Sequence, residues 1–247
     1  MQLGIIFVVA AVFMMGERVW PGRDLPSPRG WYLRAAFLNA VQLAIVVIAG
    51  FTWNQWFSTL SIMGISRYLP PVLEGLLAWF VGTFIFYWWH RARHSSDALW
   101  RAIHQVHHSP QRIEAITSFY KHPLEIAINS ILASAIVFIL LGGSVEGAAW
   151  FNVFAASGEM FYHANIRTPR WIGYFMQRPE HHSIHHEVGV HNFNFGDITW
   201  WDRLFGTFRE APRFASSCGF TDDAERKLGS MLLLRDVSTT PQTRTAG

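Results

Sequence analysis

Apolar runs of helical length, separated by short polar stretches, dominate the chain. They cover residues 3–15, 35–57, 70–89, 124–141 and 144–162. A transmembrane helix needs about 20 mostly apolar residues, and a shorter run can cross by extending to its flanks or thinning the bilayer. The first run has no Lys or Arg before it and no small-residue cleavage site after it, so it does not resemble a signal peptide. The pattern predicts five membrane-spanning helices.

Turn-forming residues separate several of these helices. Gly142 and Gly143 interrupt the apolar sequence and predict a helix hairpin that returns the chain to the side from which it came. Pro70 and Pro71 suit the start of the third helix. The predicted fold class is therefore all-α, an integral membrane helical bundle. The predicted units are N-terminal membrane spans over residues 1–69, a histidine-containing domain over 70–210 and a polar C-terminal part over 211–247, with a short helix at 221–234 and a mobile tail from 237.

Composition agrees with a membrane protein and excludes other classes. Hydrophobic residues make up 51% of the chain and charged residues 15%, against about 25% charged residues in soluble domains. The net charge of +3 is too small and too dispersed for nucleic-acid binding. The single cysteine, Cys218, excludes an intrachain disulfide and a thiolate metal cluster.

Histidines form two clusters that directly follow or lie between the apolar runs. All twelve histidines lie between positions 90 and 191. Spacings of i, i+3 and i+4 place imidazoles on one face of a helix, close enough to share an ion. Side-chain packing gives no reason for histidines to recur at these spacings, so the clusters indicate metal binding. An isolated histidine more often has an ordinary core or surface role. The first cluster contains His90, His94, His104, His107 and His108, and the second contains His181, His182, His185 and His186.

The number of histidines exceeds the need of one metal ion. A catalytic zinc takes three protein ligands and a structural zinc takes four. Nine histidines in two separated clusters therefore predict a polynuclear site, with two ions as the simplest case. Imidazole alone leaves zinc, iron, copper and nickel open.

Basic residues predict the orientation of the spans. Four arginines occupy the region around the loop between the first two spans, and only Arg67 follows the second. Positively charged loops favour the cytoplasmic side, and counting spans from there places every histidine on that same side. The histidine-rich helices are thus predicted to form a cytoplasmic cap on the bundle. The four arginines are Arg18, Arg23, Arg29 and Arg34.

Other classes of metal protein fit less well. A zinc metalloprotease needs HExxH, but after His186 and Glu187 the required position is Val190, and His191 comes one residue later. A metal transporter would place ionisable residues in the middle of several spans, whereas these histidines flank the apolar runs. A closed structural zinc site remains an alternative, although such sites rarely use so many ligands.

Three histidine boxes can be written as His90-x3-His94, His104-x2-His107-His108 and His182-x2-His185-His186. Together with FYHANIRTP around His163 and NFNFGDITWWDRLFGTF over residues 192–208, they resemble the fatty acid hydroxylase and sterol desaturase superfamily. The similarity runs from about residue 78 to 208, so the domain over 70–210 is expected to be catalytic. The resemblance implies a di-iron centre that uses dioxygen to hydroxylate or desaturate a lipid such as a sterol, fatty acyl chain or ether lipid. It also implies electrons from a partner, either cytochrome b5-like or ferredoxin-like with a reductase.

Residue by residue, the resemblance implies nine metal ligands. His181 precedes the third box and is a ligand, a neighbour of the ligands or neither. Some lipid hydroxylases have a further histidine one turn before His163, where this chain has Glu159. The metal ion bound by His163 would then gain a carboxylate ligand, keep a water or bind more weakly, and the resemblance leaves these three alternatives open. The nine implied ligands are His90, His94, His104, His107, His108, His163, His182, His185 and His186.

The remaining polar residues of this region have predicted supporting roles. His122, before Pro123, either caps a helix or lines the substrate entrance, and a structural role is likewise favoured for His191. Asp202 is expected to pair with an arginine or to cap the following turn. Carboxylates commonly accept the free ring N–H of ligating histidines. The candidates for that role are Asp97, Glu114, Glu187 and Asp197.

Overall fold

The computed structural model describes residues 1–238, and these form a helical protein. Isolated bridges between Met176 and Ile198 and between Glu187 and Cys218 are the β pairings found in that range. Short 3₁₀ or π segments connect several helices. The helices are α1 (Gln2–Val19), α2 (Trp31–Phe51), α3 (Trp53–Phe57), α4 (Pro71–Ser95), α5 (Asp97–Leu99), α6 (Gln105–His108), α7 (Pro123–Ser134), α8 (Val145–His163), α9 (Pro179–His185), α10 (Thr199–Leu204), α11 (Asp222–Glu225) and α12 (Leu228–Leu232).

Four helical stretches are long and apolar enough to cross a membrane: α1, α2, α4 and Pro123–Leu140, which joins α7 to a π-helical turn. They confirm four of the five spans predicted from the apolar runs. The fifth run, over residues 144–162, forms α8 but is not among these four. This run contains the polar residues Glu146, Asn152 and Glu159.

The bundle is organised around a parallel pair, α4 and α8. Their first turns meet where Glu74 accepts a hydrogen bond from the Ser144 nitrogen, and their last turns carry His90 and His163. Gly75 allows their close approach, because a Cβ at this position would lie 2.5 Å from the Trp150 Cβ and 2.7 Å from the Phe151 nitrogen. α1 packs against α8, and α2 packs against α7. The predicted reversal before α8 is confirmed, with Gly142 in the left-handed region at φ 66°.

Short helices cover one end of this bundle. A π-helical turn, Trp100–His104, links α5 to α6, and the 3₁₀ segment Ala115–Phe119 leads to α7. The predicted helix at 221–234 is two short helices, α11 and α12. Met231 of α12 is fully buried against Trp31, Val106 and Tyr120, so the polar C-terminal part packs onto the bundle. Most of the tail predicted from residue 237, namely 239–247, lies outside the described residues.

One carboxylate ties the N-terminal helix to the rest of this end. Glu17 of α1 is 5% exposed, and its Oε2 accepts hydrogen bonds from the backbone nitrogens of Ala115, at 2.9 Å, and Asn165, at 3.1 Å. Charge-assisted bonds of this kind are roughly twice as strong as neutral ones. The first span is therefore held against the 3₁₀ segment Ala115–Phe119 and the stretch that follows α8.

Candidate metal centre

Four segments bring the histidines together. His90 and His94 are one turn apart near the end of α4, and His163 is the last residue of α8. The π-helical turn and α6 contribute three histidines, and α9 with the residue after it contributes three more. All nine implied ligands are buried: His90, His94, His104, His107, His108, His163, His182, His185 and His186.

These nine histidines form two groups, each with one nitrogen per residue within 4.8 Å of the others. Group A contains five histidines and group B contains four. His108 of group A stacks on His186 of group B, with ring centroids 4.3 Å apart. Group A is His90, His94, His104, His108 and His185; group B is His107, His163, His182 and His186.

The histidines of the second and third boxes are shared between the two groups. Residues separated by four positions stay together, as His104 and His108 do in group A and His182 and His186 do in group B. The third member of each box, His107 or His185, joins the other group. One helical face therefore does not keep all three histidines of these two boxes in one group, whereas His90 and His94 stay together. The groups interlock through α6 and α9.

The nitrogen separations fit metal ligation. Imidazole nitrogens roughly 2.0–2.1 Å from one ion lie about 2.9 Å apart at a right angle and about 3.4 Å apart at a tetrahedral angle. In group B, the His163 Nε2 lies 3.3 Å from the His107 Nε2 and 3.1 Å from the His182 Nε2. In group A, the Nε2 atoms of His94 and His104 are 3.0 Å apart.

In three of the ligating histidines, the ring nitrogen opposite Nε2 is hydrogen-bonded, which leaves the Nε2 lone pair available to a cation. The Nδ1 atoms of His90, His185 and His163 lie 2.8 Å from the backbone oxygens of Phe195, Phe193 and Glu159, respectively. A neutral imidazole that donates from Nδ1 presents a lone pair at Nε2. The Nε2 atoms of His90 and His185 are buried without a hydrogen-bond partner. The lone pairs therefore converge in a buried space, as metal ligands do.

Burial keeps the histidines outside the spans neutral. It lowers the pKa of His104 to about 4, assisted by the Arg93 charge, and lowers the pKa values of His107, His108 and His186 well below the ordinary value. Metal binding requires unprotonated imidazole. These side chains are thus in the ligating form at neutral pH.

The sequence did not identify Glu125 as a carboxylate that contacts a ligating histidine; other carboxylates were predicted for that role. Glu125, fully buried in α7, lies 3.1 Å from the His104 Nδ1 and forms a salt bridge with Arg93. The available signal was a charged residue in the first turn of an apolar run. Backbone oxygens, Arg93 and Glu125 contact the ligating rings. Glu114 accepts from the Trp31 Nε1 at 2.6 Å instead.

Asp202 supports the site indirectly. Its carboxylate accepts from the backbone nitrogens of Phe195 and Gly196, both at 2.8 Å, and from the Thr207 hydroxyl at 2.7 Å. The bond from Thr207 is one to the turn that follows α10, as the sequence predicted for a cap, and the arginine partner stays a prediction. Asp202 also holds the preceding loop, whose Phe195 oxygen contacts His90.

The other candidate residues lie outside the two groups. The His181 Nε2 is 3.1 Å from Glu210, and His191 contacts the His185 backbone oxygen at 3.3 Å. His122 accepts from the Leu124 nitrogen at 3.0 Å, as a helix cap. Glu159 pairs with Lys121 at 2.5 Å instead of joining group B. Of the three alternatives for Glu159, this geometry does not favour a carboxylate ligand.

A cavity of about 500 Å³ extends from the histidines into the bundle. Histidines of both groups line one end, together with Lys121, Glu159 and Asp197. Phe86, Val137, Phe138 and Phe151 line deeper parts. α1 and α2 also contribute to its walls, so the cavity lies among all four candidate spans and α8.

The fold and the paired histidine groups define a membrane protein with a buried, histidine-rich metal-binding centre beside a cavity among its spans. The model of the fatty acid hydroxylase family matches residues 75–207, and the chain belongs to that family. The matched region contains all nine histidines of the two groups. No solved structure matches the chain.

Several curated proteins are similar to the chain. The ornithine lipid hydroxylase OlsE of Rhizobium tropici is 29% identical over 224 residues, covering 81% of this chain and 63% of its own. The sphingolipid C4-hydroxylase sur2 of Schizosaccharomyces pombe is 26% identical over 146 residues, covering 58% and 50%. The very-long-chain aldehyde decarbonylase GL1-9 of Oryza sativa subsp. indica is 27% identical over 146 residues, covering 56% and 57%. The chain thus spans about half to two thirds of these relatives.

Proposed function

We propose that this protein is a membrane-bound di-iron oxygenase that hydroxylates, or desaturates, a lipid. The observation that carries the proposal is the pair of interlocked histidine groups at the end of a cavity among apolar helices. Family membership supports the chemistry, since relatives are named as lipid hydroxylases and monooxygenases.

The nine histidines of groups A and B would hold two iron ions. Bound iron would supply the activation of dioxygen and the removal of hydrogen from an unactivated C–H bond. The chain's own contribution is positioning and exclusion of water. The backbone oxygens of Phe195 and Phe193 orient the rings of His90 and His185. Because the histidines are buried, a lipid would reach them through the cavity.

The electrons would come from a separate protein, either cytochrome b5-like or ferredoxin-like with its reductase. The charge distribution of the loops favours a cytoplasmic location for the histidine-containing end, where such donors would dock. The lipid would enter from the bilayer, because α1 and α2 both line the cavity.

Lipid mass spectrometry under isotope-labelled dioxygen tests this function. Membranes containing the protein, reduced and supplied with a donor system, should yield a lipid that carries one labelled oxygen, or an alkene in a desaturation. Metal analysis of the purified protein should find iron. Zinc with no oxygen-dependent product would instead support the structural or hydrolytic zinc alternative.

A further inference from the structure

An exposed apolar surface lies beside the second half of α4. It is formed by the 3₁₀ segment Arg170–Tyr174, the residue that follows it, and α10. Each of its side chains is large and mainly apolar and is 44–68% exposed. This set is called the apolar face. Its members are Trp171, Tyr174, Phe175, Trp200 and Leu204.

α10 packs lengthwise along α4. The ring centroids of Trp200 and Phe80 are 6.5 Å apart near the middle of α4, and those of Phe205, one residue after α10, and Trp88 are 4.7 Å apart. Phe80 and Trp88 are eight positions apart, which corresponds to about 12 Å of helix. The short helix therefore follows the long one over about two turns.

The side of α4 that meets α10 is also its exposed side. Large apolar residues recur there at every fourth position, which places them along one side of the helix, and each is 38–41% exposed. In a candidate span, an exposed apolar side is the one that lipid covers. The apolar face is thus continuous with the lipid-facing surface of α4. The exposed residues of α4 at this spacing are Val72, Leu76, Phe80, Phe84 and Trp88.

The contacts with α4 also indicate the depth of the apolar face. The apolar run of α4 ends at Trp89, and Phe80 precedes His90 by ten residues, or about 15 Å along the axis. That is half of the roughly 30 Å hydrocarbon layer. With α4 spanning the bilayer, Trp200 lies near the middle of this layer and Phe205 lies near its edge on the histidine side.

Hydrogen bonds within this element suit that environment. In the hydrocarbon layer, backbone polar groups need partners from the protein, because water is absent. The Tyr174 oxygen accepts from the Trp200 Nε1 at 2.8 Å, and the Gly173 oxygen accepts from the Thr199 hydroxyl at 3.1 Å. Side chains of α10 thus satisfy carbonyl groups at the end of the 3₁₀ segment, where helix geometry leaves such groups without a partner.

The charged side chains of α10 are compatible with insertion. Asp202 is fully buried, and its carboxylate accepts from backbone nitrogens of the preceding loop. The Arg203 Cζ lies 3.7 Å from the Phe208 ring centroid, and that ring lies 5.1 Å from the His181 ring. The arginine therefore extends toward the histidine end, as a snorkelling side chain extends toward the membrane surface.

We propose that the apolar face is inserted into the leaflet on the histidine side, so that the 3₁₀ segment and α10 form a membrane-embedded element that does not span. Its partner is the acyl region of the bilayer. A soluble protein fits this surface less well, because it would have to displace lipid from Phe80 and Phe84 to reach Trp200. This contact with lipid is independent of the proposed oxygenase function.

Depth-dependent fluorescence quenching tests the proposal on the full chain in phosphatidylcholine vesicles. Single cysteines in a Cys218→Ser background carry bimane, and the vesicles contain lipids with a nitroxide quencher near the middle or near the top of the acyl chain. Phe175→Cys should lose most of its fluorescence to the mid-chain nitroxide, because the Phe175 ring lies 6.4 Å from that of Trp200. Leu204→Cys should lose most to the nitroxide near the top, because Leu204 adjoins Phe205. Iodide in the water should quench neither.

The matched control is Leu233→Cys. Leu233 is 67% exposed and Leu204 is 68% exposed, but Leu233 follows α12, which packs against Val106 of α6. Position 233 should be quenched by iodide and not by the lipid nitroxides. Iodide quenching at positions 175 and 204 without lipid quenching, as expected of a surface that binds a soluble protein, would overturn the proposal. Equal lipid quenching at position 233 would overturn it as well.

Leu76→Cys provides the reference for a lipid-facing position of α4. Leu76 is 41% exposed, and the lipid nitroxides should quench a probe there. Quenching at position 76 without quenching at 175 would overturn the proposal and retain α4 as a span, whereas quenching at neither position would overturn both. A single size-exclusion peak shows that a variant is folded. Trp171→Cys, at a side chain 62% exposed, replaces Phe175→Cys if that variant aggregates, with the same lipid quenching expected.

Discussion

His108 and His186 stack with ring planes 19° apart, although they come from different boxes and belong to different histidine groups. Their contact places groups A and B side by side and joins α6 to the end of α9. Because His107 and His185 cross to the opposite groups, neither box can move without disturbing both. The two candidate metal sites are therefore mechanically one unit.

Replacing His107 or His185 by Ala should abolish lipid oxidation and lower the bound metal. His107→Ala leaves three ligands in group B, and His185→Ala leaves four in group A, so we expect the larger loss of metal, about half of the total, for His107→Ala. Metal analysis per protein and product formation are the measurements. His122→Asn, which retains a helix-capping side chain, serves as the control, and full activity of either Ala variant would rule out the assignment.

Glu159→Gln should retain the bound metal. Glu159 pairs with Lys121, and its backbone oxygen, not its carboxylate, contacts His163. The substitution preserves that backbone contact. Metal content within error of the wild type is expected, whereas a loss like that of His163→Ala would show that the carboxylate is a ligand when the ion is present.

Asp202→Asn should weaken metal binding without removing a ligand. The amide replaces one of the acceptor oxygens that hold the loop at Phe195 and Gly196. Changes in groups that orient metal ligands typically cost about 10- to 100-fold in affinity, and a buried unsatisfied donor costs about 1–3 kcal/mol of stability. Competition with a chelator and thermal unfolding measure the two effects. Unchanged affinity would separate this loop from the metal centre.

Asp197→Asn should alter the pH dependence of stability. Burial and the nearby Glu159 charge raise the pKa of Asp197 to about 7, so the folded protein binds a proton that the unfolded chain releases above about pH 4. The contribution of Asp197 to stability thus decreases as pH rises from about 4 to about 7. Unfolding of both proteins across this range should show the wild type losing stability relative to the variant; a constant difference would contradict the shifted pKa.

Cysteine labelling should report the orientation. In a Cys218→Ser background, the exposed positions Asp24 and Thr59 lie in connections on opposite ends of α2. Asp24→Cys should react with an impermeant maleimide only from the cytoplasmic side, and Thr59→Cys only from the other side. The reverse pattern, or labelling of both from one side, would contradict the proposed topology.

The sequence predicted the features of the site that depend on local spacing. The one-turn separation of His90 and His94 is enough to place them in one group, and four apolar runs are long enough to identify candidate spans. The division of the other boxes depends on how α6 and α9 face each other and on the π-helical turn before α6. The acceptors for His90 and His185 are backbone oxygens of a distant loop, and no residue type marks such a role. Spacing within one segment could therefore not reveal them.

Residues near both ends of the chain stabilise the histidine-containing end. Glu17 accepts hydrogen bonds from the Ala115 and Asn165 nitrogens, and Met231 packs against Val106 and Tyr120. A fragment trimmed to residues 75–207 would leave these two amides without their carboxylate and uncover Tyr120 and Val106 to solvent. The contacts of Glu17 and Met231 thus join both flanks to the region that the family model matches. Work on a shortened protein should therefore retain the first helix and the last one together.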